Sequence, residues 1–116
     1  MLHRNIWSVT VMLCLLVQPA LADEVSDFAR CLKKSGAEYY GTWWCPYCKR
    51  QNEMFGRAKS KLPYIECSKK GSREALPKCD HINSYPTWFF AGKGMATGVQ
   101  SFQRLAQYSG CPAPQS

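Results

Sequence analysis

"TWWCPYCKRQ", Thr42 to Gln51, places two cysteines two residues apart and puts a proline directly after the first. The residues on either side change character at this point. "AEYYGTWW" before Cys45 is short, aromatic and strand-like. "PYCKRQNEMFGRAKSKL" after it has a helical period, with Pro46 at the first helical position and Cys48, Met54, Phe55, Ala58 and Leu62 on one apolar face. Gly56 weakens this helix without ending it. The pair therefore sits where a strand hands over to a helix. There the unpaired backbone N–H groups and the helix dipole favour a negative charge on Cys45. The thiolate is the reactive form of cysteine. Cys45 is then the nucleophile, and Cys48, nearly one turn later and more buried, resolves the mixed disulfide.

Two other uses of such a pair compete. A zinc clip needs two further ligands, such as Cys67 with Cys79 or His81, and the usual ribbon carries a second Cys-x-x-Cys, which this chain lacks. A purely structural bridge between residues three apart at a helix start is rare. The redox reading is preferred, with no metal and no cofactor.

The rest of the chain sets the frame. "MLHRN" is basic, Ile6 to Val17 is apolar, and Ala20-Leu21-Ala22 fits a small-x-small cleavage site, so residues 1–22 read as a secretory signal peptide. The apolar run is shorter than the roughly 20 residues of a membrane span. Cleavage after Ala22 leaves a domain of residues 23–116, exported to a periplasm or an equivalent lumen. It also removes Cys14 and leaves six cysteines, an even number that suits an exported, disulfide-stapled domain too small for a large core. The formal charge is +7, one less without Arg4, and the basic residues are scattered over the sequence. This reads as a solvated basic face, without a nucleic-acid-binding motif, and the charge favours anionic surfaces or acidic partners.

Further elements follow from local signals. "SDFARCLKKSG" predicts a helix capped by Ser26 and stopped by Gly36. "PYIEC" and "YPTWFF" predict strands, and Ser72 to Leu76 in the polar connector between them predicts one helical turn. "AGKGMATG" predicts a hairpin into a short strand. "SFQRLAQYSG" predicts a closing helix capped by Ser101 and ended by Gly110, with Phe102, Leu105 and Ala106 inward. Strands and helices mix, and the last two strands form a hairpin. The expected fold is α/β, a three-layer sandwich around a small mixed sheet.

"YGTWWCPYC" together with "YPTW" resembles the thioredoxin superfamily. "FARCLKKSGAEYYGTWWCPYCKRQNEMFG", "LPYIECS", "INSYPTW" and "GVQSFQRLAQYSG" are most similar to the thioredoxin-like domain that is fused to, or works with, bacterial and plastid homologues of vitamin K epoxide reductase. The resemblance implies a cis peptide before Pro86, with the backbone of Tyr85 facing the sulfurs and pairing with an extended client. It implies disulfide exchange with client proteins and reoxidation by a membrane vitamin K epoxide reductase-type partner on a separate chain. It also implies a second cysteine pair, Cys67 and Cys79, as a structural staple or a second redox pair. Cys31 and Cys111 then remain, and a bridge between the first and last helices is one option beside free thiols or an intermolecular contact. Tyr39 stands where bacterial thioredoxin carries a buried aspartate; Glu38 and Glu66 are nearby in sequence, and water or Glu66 is left to handle protons. Tyr47, between the cysteines, and Trp44 are expected to contact clients, with the protein acting as a monomer.

"CPYC" is also the glutaredoxin signature, so a glutathione-type reductase is the first alternative, against which export and the missing Thr-Val-Pro and Gly-Gly signals count. By the same analogy the dipeptide suggests a potential of about −200 to −230 mV. A non-catalytic, disulfide-stapled binding module is the second alternative.

Overall fold

The computed structural model describes residues 21–115. The expected signal peptide therefore lies outside the described residues, except for Leu21 and Ala22. These two open helix α1, Leu21–Lys34. Strand β1 is Glu38–Gly41, α2 is Pro46–Phe55, β2 is Tyr64–Glu66, β3 is Thr87–Phe90, β4 is Gly94–Thr97 and α3 is Phe102–Ser109. Short 3-10 segments cover Gly56–Lys61 and Pro77–Cys79.

The four strands form one mixed sheet in the order β2-β1-β3-β4. β1 and β2 run parallel and are joined through α2, while β3 pairs antiparallel with β1 and with β4. Period-two alternation divides the side chains between two faces. Tyr39 and Trp88 are register partners and stack with ring centroids 4.3 Å apart. On their face lie all three helices: Val25, Phe28, Ala29 and Leu32 of α1, Phe55 of α2 and Leu105 of α3 form one core with Trp88 and Phe90. Phe28, Phe55 and Phe102 interlock there as stacked and edge-on rings.

The opposite face, with Tyr40, Ile65 and Phe89, is covered by the connector between β2 and β3, through Cys67, Cys79 and Ile82. The expected third layer is thus a stapled loop with one 3-10 turn rather than a helix. That turn lies at Pro77–Cys79, not at Ser72 to Leu76. Pro77 explains the shift, because its fixed φ suits the first position of a turn and restricts the residue before it.

Two helix boundaries also differ from expectation. α1 starts upstream of Ser26, which lies inside the helix and accepts a hydrogen bond from Lys61 Nζ at 3.2 Å. Asp23 and Glu24 in its first turn and Lys33 and Lys34 in its last complement the helix dipole. α2 does end at Gly56, whose φ of 53° lies in the left-handed region that glycine adopts without penalty. The chain then continues as a 3-10 segment that still buries Ala58. α3 keeps both its signals: Ser101 Oγ accepts from Arg104 N, and Gly110 closes the helix at φ 78°.

Two disulfides tie these parts together. Cys31 in α1 is bonded to Cys111 just after α3, and Cys67 to Cys79 across the connector.

Candidate active site

Cys45 is the N-cap of α2, with extended backbone angles, and Pro46 begins the helix. Its side chain takes the place of the usual serine or aspartate cap: Sγ accepts a hydrogen bond from Cys48 N at 3.2 Å. On its other side the Cys45 thiol donates to the Tyr85 carbonyl at 3.5 Å. The Tyr85–Pro86 peptide is cis. Cys45, Cys48, Tyr85 and Pro86, singled out from two separate stretches of sequence, are thereby brought together. Cys45 and Cys48 are the two unbonded cysteines among the described residues.

The two sulfurs differ in surroundings. Cys48 is 1% exposed. Burial, followed by its hydrogen bond to Cys45, pushes its thiol up to about 12, and the charge of Glu66 adds to the effect. Cys48 is held as a neutral thiol, and the helix N-terminus offers the Cys48 N–H to the sulfur of Cys45.

Gly41, at the end of β1, makes room for this arrangement. A Cβ there would lie 2.7 Å from Tyr64 Cε2 and 3.2 Å from Cys48 Sγ. Tyr64 and Cys48 thus both pack close to the glycine. Burial and then the charge of Glu66 hold the Tyr64 hydroxyl well above its ordinary range. Thr42, Asn52, Tyr64 and Glu66 line an open groove of about 740 Å³.

The carboxylates near the site separate clearly. Glu66 belongs to the Cys48 side, whereas Glu38 accepts from the Tyr40 hydroxyl. Tyr39 donates its hydroxyl to the Cys48 carbonyl at 3.2 Å and to Asn52 Oδ1 at 2.8 Å. It braces the backbone of α2, and burial pushes its own proton loss far out of reach.

The connector forms one wall of the site. Trp43 Nε1 donates to the carbonyls of Lys69 and Ser72, and Trp44 Nε1 to Ser68 Oγ at 2.8 Å. Trp44 also meets Tyr85 edge-on at 6.5 Å. Tyr47 and Trp43 are each more than half exposed, while Trp88 is fully buried in the core. The Cys67–Cys79 bond and the Ser68–Ala75 bridge fold the connector back towards these indoles. Cys67 and Cys79 are spent on each other, and among the described residues no three His, Cys, Asp or Glu side chains gather as a metal would require.

Sequence reasoning missed Gln51. It lies on the buried face of α2 with Cys48 and Phe55 and is fully buried. Its Oε1 accepts from Gln100 N at 2.7 Å and Trp88 Nε1 at 3.3 Å, and its Nε2 donates to Gln100 O at 3.1 Å. Its spacing of three from Cys48 and four from Phe55 was the available signal.

No family model matches the chain. The thiol-disulfide oxidoreductase LTO1 of Arabidopsis thaliana is 38% identical over 88 residues, a match covering 71% of this chain and 23% of that protein. The chain therefore spans about a quarter of the length of this curated relative. A paired Cys-x-x-Cys at a helix start and a homologue of that name make the chain a relative of a thiol–disulfide oxidoreductase.

Proposed function

We propose that the chain is a thioredoxin-like, exported thiol–disulfide oxidoreductase that passes the Cys45–Cys48 disulfide to client proteins and is reoxidised by a membrane partner of the vitamin K epoxide reductase type. One observation carries the reading. The Cys45 sulfur caps α2, receives the Cys48 N–H and faces the Tyr85 carbonyl. In the oxidised form a client thiolate attacks Cys45 Sγ, the Cys45–Cys48 bond breaks, and Cys48 leaves and takes up a proton. A second client thiolate then attacks the mixed disulfide. A disulfide forms in the client, Cys45 is released, and two electrons have passed to the protein.

The thioredoxin-like assignment is supported by the parallel β1-α2-β2 unit followed by the β3-β4 hairpin and α3, with the cysteines at the start of α2 and Pro86 just before β3. Export is supported by the pattern of residues 1–22 and by two disulfides outside the site, which persist in oxidising compartments. The membrane partner rests on the sequence resemblance alone.

The deciding experiment incubates the Cys48→Ala protein with lysate from the exporting compartment and separates the adducts without reductant. Covalent adducts that disappear with dithiothreitol, and are missing from Cys45→Ser/Cys48→Ala, are expected. Absence of such adducts from Cys48→Ala, with clients still captured non-covalently by Cys45→Ser/Cys48→Ala, would overturn the reading in favour of a binding module. A glutathione redox titration below about −270 mV would exclude the oxidant direction.

A further inference from the structure

Two guanidinium groups stand on the aromatic residues nearest the nucleophile. Arg73, from the connector, lies 5.4 Å from the ring centre of Trp44, directly before Cys45. Arg50, from α2, lies 5.4 Å from the ring centre of Tyr47, two residues after Cys45. Both arginines are exposed. The one ion pair among the described residues, Arg30–Asp27, is on α1, so neither guanidinium has a carboxylate partner. The acids on the same elements, Glu53 on α2 and Glu74 and Asp80 on the connector, do not pair with them. Lys49, Lys69 and Lys70 are exposed in the same stretches and add positive charge.

An arginine resting on a ring is held in place, so it loses less freedom when it takes a ligand, and its planar fork matches a carboxylate in two-point contact. Trp44 also touches Tyr85, whose carbonyl faces Cys45, so Arg73 belongs to the side on which a client backbone would lie.

We propose that Arg50 and Arg73 read carboxylates, and that the site selects client cysteines flanked by aspartate or glutamate. The inference rests on the exchange activity proposed above and names its preferred substrate class. The chemistry gives the pair a purpose. Acidic neighbours disfavour the thiolate of a client cysteine, which is the species that attacks Cys45. Two guanidiniums at the point of attack offset that effect and hold the client in register. The exchange itself is unchanged: client thiolate onto Cys45 Sγ, Cys48 leaving, then closure of the client disulfide with two electrons delivered to the protein.

The test uses the oxidised full chain with synthetic dithiol peptides that differ only in glutamate, glutamine or lysine beside each cysteine. Dithiothreitol serves as a small uncharged reference. The glutamate peptide is expected to react about tenfold faster than the glutamine peptide at low salt, and about twofold faster at high salt. In Arg50→Gln/Arg73→Gln the ratio of the two rates falls to about one. In Lys33→Gln/Lys34→Gln, which removes the same charge from the end of α1, the ratio stays. Equal rates for the two peptides with wild type, or a ratio that survives in the arginine double variant, overturns the carboxylate-reading pair alone. Failure of the oxidised chain to react with dithiothreitol overturns the exchange activity and this inference with it.

Discussion

Replacing Gln51 with methionine tests what holds the cysteine-bearing helix in place. Methionine has nearly the same length and leaves little cavity, so the cost is almost purely polar. The substitution strips partners from three groups: Gln100 N, Gln100 O and Trp88 Nε1. Trp88 is fully buried and Gln100 is 6% exposed, so water reaches these groups poorly. Each unsatisfied buried group costs about 1–3 kcal/mol. With some relaxation of the loop before α3, the sum is about 3–5 kcal/mol. A domain of this size has a total stability of about 5–15 kcal/mol, so the loss is a large fraction. Urea unfolding of the disulfide-intact protein, followed by tryptophan fluorescence, is the assay. With a slope of about 1 kcal/mol/M the midpoint falls by about 3–5 M. A loss below about 1 kcal/mol would refute the reasoning, because it would mean that the three groups find other partners at no cost.

Gly41→Ala is expected to destabilise by about 1–3 kcal/mol through overpacking and to slow exchange, since its Cβ meets the Tyr64 ring at 2.7 Å and Cys48 Sγ at 3.2 Å. Gly41→Ala/Tyr64→Ala should recover part of the rate, and no recovery counts against the contact. Loop entropy ranks the two disulfides: the 80-residue separation of Cys31–Cys111 stabilises by about 4.5 kcal/mol and the 12-residue separation of Cys67–Cys79 by about 2.8 kcal/mol. Denaturation of the two double-alanine variants should keep that order, and a reversal sinks the entropic account. For pH, the raised thiol of Cys48 means that its neutral form dominates up to about 12. Its alkylation in the reduced protein should therefore still climb about tenfold per pH unit where an ordinary thiol, with its pKa of about 8.5, has already levelled off. A plateau near pH 9, read by mass spectrometry, would contradict the burial argument.

The parts that the sequence made legible are those set by neighbouring residues. Pro46 after Cys45, Ser101 before α3 and Gly110 after it act within one turn, and each stands where the local signal placed it. The hairpin at Gly92 and Gly94 and the strand at Thr87–Phe90 are of the same kind. Legibility fails where order comes from distant partners. The connector has a polar composition and no period, yet it becomes a layer because a disulfide closes it and two indoles hold it. Gln51 looks like a surface residue until Gln100, 49 positions away, arrives to bond it. Ser26 carries a cap-like side chain but lies within a helix that begins five residues earlier, so a residue type alone misplaced that boundary. At the site, cysteine spacing was enough to single out the pair that the fold leaves unbonded at the start of α2. The arginines on Trp44 and Tyr47 needed coordinates, because charge in a sequence carries no direction.

The bond between Cys31 and Cys111 also sets how the domain carries mechanical load. The segment after Cys111 lies along α1, where Gln115 N meets Glu24 Oε2 at 3.1 Å. A pull applied to residues 23 and 115 would first part this contact and peel the start of α1. It would then reach a covalent link. The 79 residues between the linked cysteines, which include the whole sheet, Cys45 and Cys48, lie off the line of force. About 270 Å of contour length would stay hidden until that disulfide is reduced. A domain built this way, tethered by one end and tugged at the other, keeps Cys45 and Cys48 free of tension.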